Sequence, residues 1–228
     1  MKSLLTIAAA AALSVTAANA TTFYTTSDGF AANGTGGGTG AGAGFQEYTI
    51  DGLILTVTGG LYTDTASTSG AVVTPGSRDA EPRVWSPGTG LDHDGGNGLS
   101  DDSDHQVDGD GGNEILILAF SQQVQLASAL FSYVGGDDGF DFFADTNGDG
   151  ILERLAQDID IPGSSLANLI SFNIVSNLFG IGASGSNDEW KLKAVTATPV
   201  SDVPVPAALP LFLAGLAGFG FASRKKRA

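Results

Sequence analysis

An uncharged apolar stretch, Ala207 to Ser223, limits what this 228-residue chain can fold into more than any other feature. Leu209, Leu211, Phe212, Leu213, Leu216, Phe219 and Phe221 form one contiguous apolar surface, and a small domain cannot expose that much of it to water. A helix over these residues rises roughly 25 Å at about 1.5 Å per residue, slightly less than the roughly 30 Å hydrocarbon core of a bilayer, so it spans with thinning or snorkelling. Gly215, Gly218 and Gly220 weaken that helix and let another one approach closely. Arg224, Lys225, Lys226 and Arg227 follow at once. By the positive-inside rule they act as a membrane stop signal, holding the C-terminus in the cytoplasm and placing everything before Val203 on the other side.

The N-terminus agrees with export. Lys2 is a positive n-region, Leu4 to Leu13 is apolar, and Ala18-Asn19-Ala20 reads as an A-x-A cleavage site, so residues 1–20 are expected to be a signal peptide and the mature chain to begin at Thr21. The expected organisation is a leader at 1–20, a body at 21–198, a linker and motif at 199–206, a transmembrane helix at 207–223 and a basic cytoplasmic tail at 224–228.

Just before the apolar stretch lies Val203-Pro204-Val205-Pro206-Ala207. A Pro-containing motif, a short apolar helix and a terminal basic cluster resemble the PEP-CTERM sorting tails of bacterial surface proteins. The motif is most similar to the variant named for Val-Pro-Leu-Pro-Ala, with Val205 in place of Leu. The resemblance implies that a membrane-embedded exosortase reads the tail, cuts near the Pro motif, and releases or transfers the body to the cell surface. It makes the chain a substrate of that system, handled also by signal peptidase and the general export machinery. The resemblance is firm for the tail and loose for the body. A plain C-terminal membrane anchor is the alternative, and a GPI-type signal fits less well because such tails lack the basic terminus.

All 25 acidic residues lie between Asp28 and Asp202 with only five of the ten basic ones, which leaves the body at −20. Such a surface repels nucleic acid and anionic lipid and attracts cations. There is no cysteine, hence no disulfide, thiolate nucleophile or zinc-thiolate site. An exported domain of this kind rests on core burial, with bound metal as a second source of stability.

The body reads as β. Gln46–Ile50 and Leu53–Thr58 alternate around Asp51-Gly52, a two-residue hairpin signal. Glu114–Phe120 is a continuous apolar run suited to a strand covered on both faces. Val124–Val134 alternates after a turn at Ser121–Gln123, Phe140–Phe143 is short and aromatic, and Ile159–Ile161, Leu169–Val175 and Trp190–Val195 complete the set. Short strands separated by Gly-, Asn- and Asp-rich turns predict an all-β fold, an antiparallel β-sandwich of jelly-roll kind. Ala31–Gly44, mostly Gly, Ala and Thr, is expected to be a flexible surface loop. Thr63–Asp110 holds one strand candidate, Arg83–Trp85, within a polar stretch so long that it is either functional or disordered.

The acidic turns carry the candidate chemistry. Asp145-Thr-Asn147-Gly-Asp149-Gly150-Ile-Leu-Glu153 sets oxygen-bearing side chains at loop positions one, three, five and nine, with Gly at six. Calcium takes six to eight oxygens, which alternate residues of a tight loop supply when a Gly permits the turn. The segment begins like an EF-hand loop, but its twelfth position is Ala156. It is more similar to the nine-residue calcium loop of some β-propeller repeats, in which Asp145, Asn147 and Asp149 bind through side chains, Ile151 through its carbonyl, and Glu153 closes the site. The alternative is a plain hairpin turn at Asn147-Gly148-Asp149-Gly150. A second cluster, Asp101 to Glu114, resembles Asp-rich segments in the bodies of proteins with PEP-CTERM tails. Val107 among the acids suggests a short strand with Gln106 and Asp108 on the opposite face, and the cluster reads either as a solvated loop or as a metal or sugar-hydroxyl site. His93 and His105 are too isolated for zinc.

No nucleophile elbow, HExxH or phosphate loop is present, and no carboxylate spacing picks out a glycosidase pair. The expected function is therefore a non-catalytic surface or matrix component, which the family resemblance links to extracellular polysaccharide and biofilm. The alternative is a cell-surface carbohydrate-binding module, calcium-dependent or not. Trp85, Trp190, Tyr62 and Tyr133 are its candidate aromatic platforms. Trp190 is expected in the core and Trp85, near Pro87, exposed.

Overall fold

The hairpin that the sequence places at Asp51-Gly52 is present. Both residues take positive φ, 52° and 82°, as a type I′ turn requires, and Ile50 faces Leu53 across it. A computed structural model describes residues 19–36, 44–63, 73–75, 81–86, 88–92, 105–109, 112–161, 166–168 and 172–200. Asn19–Val200 forms one unit. Residues 1–18 of the expected leader 1–20, the expected sorting motif Val203–Ala207, the expected span 207–223 and the basic Arg224–Arg227 lie outside the described residues. Among those described, no helix is long and apolar enough to cross a membrane.

In chain order the elements are β1 (Thr21–Tyr24), α1 (Ser27–Asn33), β2 (Gly34–Gly36), β3 (Phe45–Ile50), β4 (Leu53–Tyr62), β5 (Val73–Pro75), β6 (Glu81–Trp85), β7 (Gly88–Asp92), β8 (Val107–Asp108), β9 (Asn113–Ser132), β10 (Gly139–Ala144), β11 (Glu153–Asp160), β12 (Leu166–Asn168), β13 (Val175–Gly182) and β14 (Glu189–Pro199). Every strand pairing is antiparallel. The fold is therefore all-β, as the alternation and turn chemistry predict.

Strand β9 organises the rest. Its first half, Asn113–Phe120, pairs with β4 on one side and β13 on the other. Its second half, Val124–Ser132, pairs with β14 on the side of β4, and on the other side with the start of β13 and then with β12. The expected turn at Ser121–Gln123 is instead an exposed crossing within one continuous strand, because the backbone stays extended while its hydrogen-bond partners change. Ile115 to Leu118 are all buried, and the two faces serve different clusters. Leu116, Leu118 and Phe120 join the main core, whereas Ile115 and Ile117 join a smaller one with Tyr62, Phe143 and Leu152. Each such side chain contributes roughly 1.5–3 kcal/mol by leaving water.

Beside β14, opposite β9, lie β8, β7 and β1 in succession, and Thr21 of β1 faces Ala197. Phe23 on β1 is fully buried and meets Phe120 edge-on at 6.0 Å. Trp190 is fully buried, packs edge-on against Phe131 at 5.0 Å, and donates from Nε1 to the Gly139 carbonyl at 3.1 Å. It is core, as the strand pattern predicts.

Two stretches differ from the sequence reading. Ala31–Gly44 does not begin as a loop: Ala31–Asn33 finish α1, started by Thr26 accepting from Gly29 N, and Gly34–Gly36 form β2 on the edge of β3. Between Thr63 and Asp110 the structure places four strands, β5 to β8, where sequence showed two, Arg83–Trp85 within β6 and a short one at Val107, which is β8. Pro in β5 and Gly in β7 hide the other two, since such strands gain from pairing and from the core they cover rather than from intrinsic propensity.

Candidate functional site

The loop between β10 and β11 folds around one carboxylate. Asp145, only 5% exposed, accepts through Oδ1 from Asn147 N at 3.3 Å and Gly148 N at 2.6 Å, and through Oδ2 from Gly150 N at 2.8 Å. Its burial pushes its pKa up, but donation from the backbone of Gly150, Gly148, Asn147 and Asp149 wins and holds the carboxyl below its usual range. Gly148 and Gly150 have φ of 80° and 82°, which glycine adopts without strain, and this lets consecutive N–H groups turn inward. Asn147 Oδ1 caps Asp149 N at 2.9 Å and Asp149 Oδ1 caps Ile151 N at 2.8 Å. The chain then buries Leu152 in the smaller core.

The remaining oxygens of the five candidate ligands are partly gathered. Asn147 Nδ2 donates to Asp149 Oδ2 at 3.1 Å and reaches Glu153 Oε1 at 3.5 Å, and Thr146 Oγ1 donates to Glu153. Two acidic side chains thus converge on one amide, a donor standing where positive charge is wanted. The donors are all oxygen and suit a hard cation. Among the described residues, however, no three Asp, Glu or His side chains are grouped closely enough to hold a metal. The loop closes on its own hydrogen bonds, so a cation has to displace the amide.

A second acidic feature was not legible in sequence. A cleft of ≈ 710 Å³ is lined by Asp137 and Asp138 from the β9–β10 turn, Asp158 and Asp160 from β11, and Asn187 and Asp188 from the β13–β14 turn. Asp141, fully buried on β10, positions two of these walls. Its Oδ1 accepts from Asp158 N at 2.8 Å and Ser184 Oγ at 3.2 Å, while Oδ2 accepts from Tyr62 Oη at 3.0 Å and Arg154 Nη1 at 3.1 Å. Burial, and then the Asp141 charge, push the Tyr62 hydroxyl far above its usual value. Asp188, 4% exposed, accepts from Gly139 N at 2.8 Å. Burial raises its pKa; the Gly139 bond opposes this, and the charges of Asp158 and Asp138 add to it. These aspartates come from two turns and a strand far apart in sequence, so no local spacing marks them.

Of the four aromatic candidates, Tyr62 and Trp190 are core residues and cannot serve as platforms. Tyr133 is 61% exposed, with the Lys191 ammonium 5.4 Å from its ring centre, and lies three residues before Gly136 at the cleft. Trp85 ends β6 opposite Gly88. Of the second acidic cluster, Gln106, Asp108 and Glu114 are buried, and Asp108 N donates to Glu114 Oε2 at 3.1 Å; Asp101–Asp104 and Asp110 lie outside the described residues. His105 is half-buried, and its carbonyl accepts from Lys191 Nζ at 2.7 Å; His93 lies outside the described residues. Comparison with protein-family models, with curated proteins and with solved structures finds no match to this chain.

Proposed function

We propose that the chain is an exported, non-catalytic surface or matrix protein, carried out by its leader and sorted by an exosortase-type peptidase through Val203–Ala207, the apolar 207–223 and Arg224–Arg227. The observation that carries this reading is the extent of the folded unit. It runs from Asn19 to Val200, its first strand starts at Thr21, and its last strand ends at Pro199. All the paired strands survive removal of both expected processing segments. Since β1 lies beside β14, the ends of the body are neighbours, which suits a precursor held to one membrane by leader and tail together.

The cargo is a jelly-roll-like sandwich in this reading. On one side β9 passes from β4 to β14 while β13 follows it on the other across the crossing, and both halves feed one core, as expected where a strand turns the corner between packed sheets. Intact-mass analysis of the protein from cells with and without the sorting peptidase tests the proposal. The expected mature form starts at Thr21 and ends near the Pro motif only when the peptidase is present. Full-length protein in the cytosol, free of lipid, overturns it.

A second reading, a cell-surface carbohydrate-binding module, is favoured by the exposed Tyr133 ring close in sequence to the carboxylate-lined cleft. Sugar hydroxyls donate to carboxylates while a ring face covers the C–H side. Calcium at Asp145, Asn147, Asp149, the Ile151 carbonyl and Glu153 would neutralise the β10–β11 loop and fix it. Glycan binding lost in Tyr133→Ala or Trp85→Ala supports the module. Titration with millimolar calcium that gives neither heat nor a rise in melting temperature removes the cation from it.

A further inference from the structure

We propose that Asn147-Gly148 is a latent self-modification site, a deamidation that the folded β10–β11 loop holds off through Asp145. Asparagine followed by glycine is a chemically labile pair, because no side chain hinders attack by the glycine nitrogen on the asparagine amide. In that reaction Gly148 N gives its proton to solvent base and bonds to Asn147 Cγ. The Cγ–Nδ2 bond breaks and ammonia leaves. Water then opens the resulting five-membered imide to aspartate or to isoaspartate, which carries an extra carbon in the backbone.

All five residues from Thr146 to Gly150 are exposed, so water and base reach the pair freely. The fold nevertheless occupies every atom the reaction needs. Gly148 N–H points at the Asp145 carboxylate, 2.6 Å away, a charge-assisted bond that opposes loss of its proton. Asn147 Oδ1 is held by Asp149 N at 2.9 Å, and its Nδ2 donates to Asp149 Oδ2 at 3.1 Å, which keeps Cγ from swinging toward Gly148 N. At the other described Asn-Gly pair, Asn33-Gly34, the restraint on the glycine nitrogen is a neutral one, Gly34 N donating to the Phe30 carbonyl. Reaction at Asn147 also removes the amide that links Asp149 and Glu153, and adds a carboxylate between them. Modification therefore unlocks the loop, and the isoaspartyl form shifts Gly150 out of register with Asp145. The inference depends on neither the sorting nor the calcium reading.

The test incubates the protein as purified from cells at mildly alkaline pH, beside its Asp145→Ala variant and a synthetic peptide spanning residues 143–154. Peptide mapping follows aspartate and isoaspartate at position 147. The peptide and the variant are expected to react faster than the wild type by on the order of ten- to a hundred-fold, the factor a hydrogen bond to a charged group is worth when reaction must break it. Circular dichroism checks that the variant is folded. If it is not, Asp145→Asn, which keeps the acceptor oxygen without the charge, takes its place and is expected to react faster than wild type. Wild-type protein reacting at the peptide's rate, or a folded Asp145 variant as slow as wild type, overturns the proposal.

Discussion

At the residue scale, one buried charge does the most positioning. Asp141 satisfies four donors from β4, β11 and the β13–β14 turn, and Arg154, whose side chain is 10% exposed, is its ionic partner. Asp141→Ala strands the guanidinium and opens both cleft walls. The expected loss is about 3–5 kcal/mol, the usual effect of breaking a buried pair from one side, read by urea unfolding of the purified protein. Asp188 acts in the opposite sense. Its folded pKa is raised, so the stability it adds is fully present only below the unfolded value of about 3.9, and is lost as pH rises through the folded value. At neutral pH its charge is a net cost. Asp188→Asn, which keeps an acceptor for Gly139 N, should melt higher than wild type at pH 7, with the gap closing below about pH 4. An equal gap at both pH values would show that its charge is not the cause. Asp145, with a lowered pKa, stabilises above its usual range and is lost only in stronger acid.

At the element scale, sequence revealed strands whose side chains alternate or run apolar, and missed those built around glycine. The β3–β4 hairpin, the first half of β9, β10 and β14 were legible because Leu55, Val57, Leu116, Phe142 and Trp190 are the residues that reach the core. The expected strand Leu169–Val175 meets β13 only at Val175: residues 172–174 lie in no strand and 169–171 lie outside the described residues, and β13 itself was hidden because Gly180 and Gly182 interrupt its apolar pattern. The structure gives their reason: a Cβ on Gly182 would stand 2.7 Å from the Tyr62 ring and 3.0 Å from the Glu114 carbonyl. Glycine there lets Tyr62 lie across the strand and reach Asp141. Gly182→Ala should therefore cost about 1–3 kcal/mol by overpacking, measured as a lower urea midpoint with an unchanged slope. The same limit applies to the candidate sites. The β10–β11 loop is contiguous and so was visible, whereas the cleft aspartates meet only through the pairing of β10 with β11 and β13.

At the scale of the molecule, two facts set how the body holds together. A net charge of −20 with no disulfide means self-repulsion is opposed by the core and not by cross-links. The chain's first strand also closes on its last, Thr21–Tyr24 against Ala194–Ala197, so that contact forms only once nearly the whole body has been synthesised. Contacts so distant in sequence carry the largest loop-closure entropy and are expected late in folding. Phe23 is the side chain that fastens this closure, fully buried against Phe120. Phe23→Ala should cost about 3–5 kcal/mol, the range for emptying an aromatic site in a packed core. If β1 docks after the barrier, the loss appears as faster unfolding with the refolding rate almost unchanged. Stopped-flow kinetics across a urea series separates the two arms. A refolding arm slowed in proportion to the lost stability would mean that the ends meet early, and that closure of β1 on β14 helps to nucleate the fold.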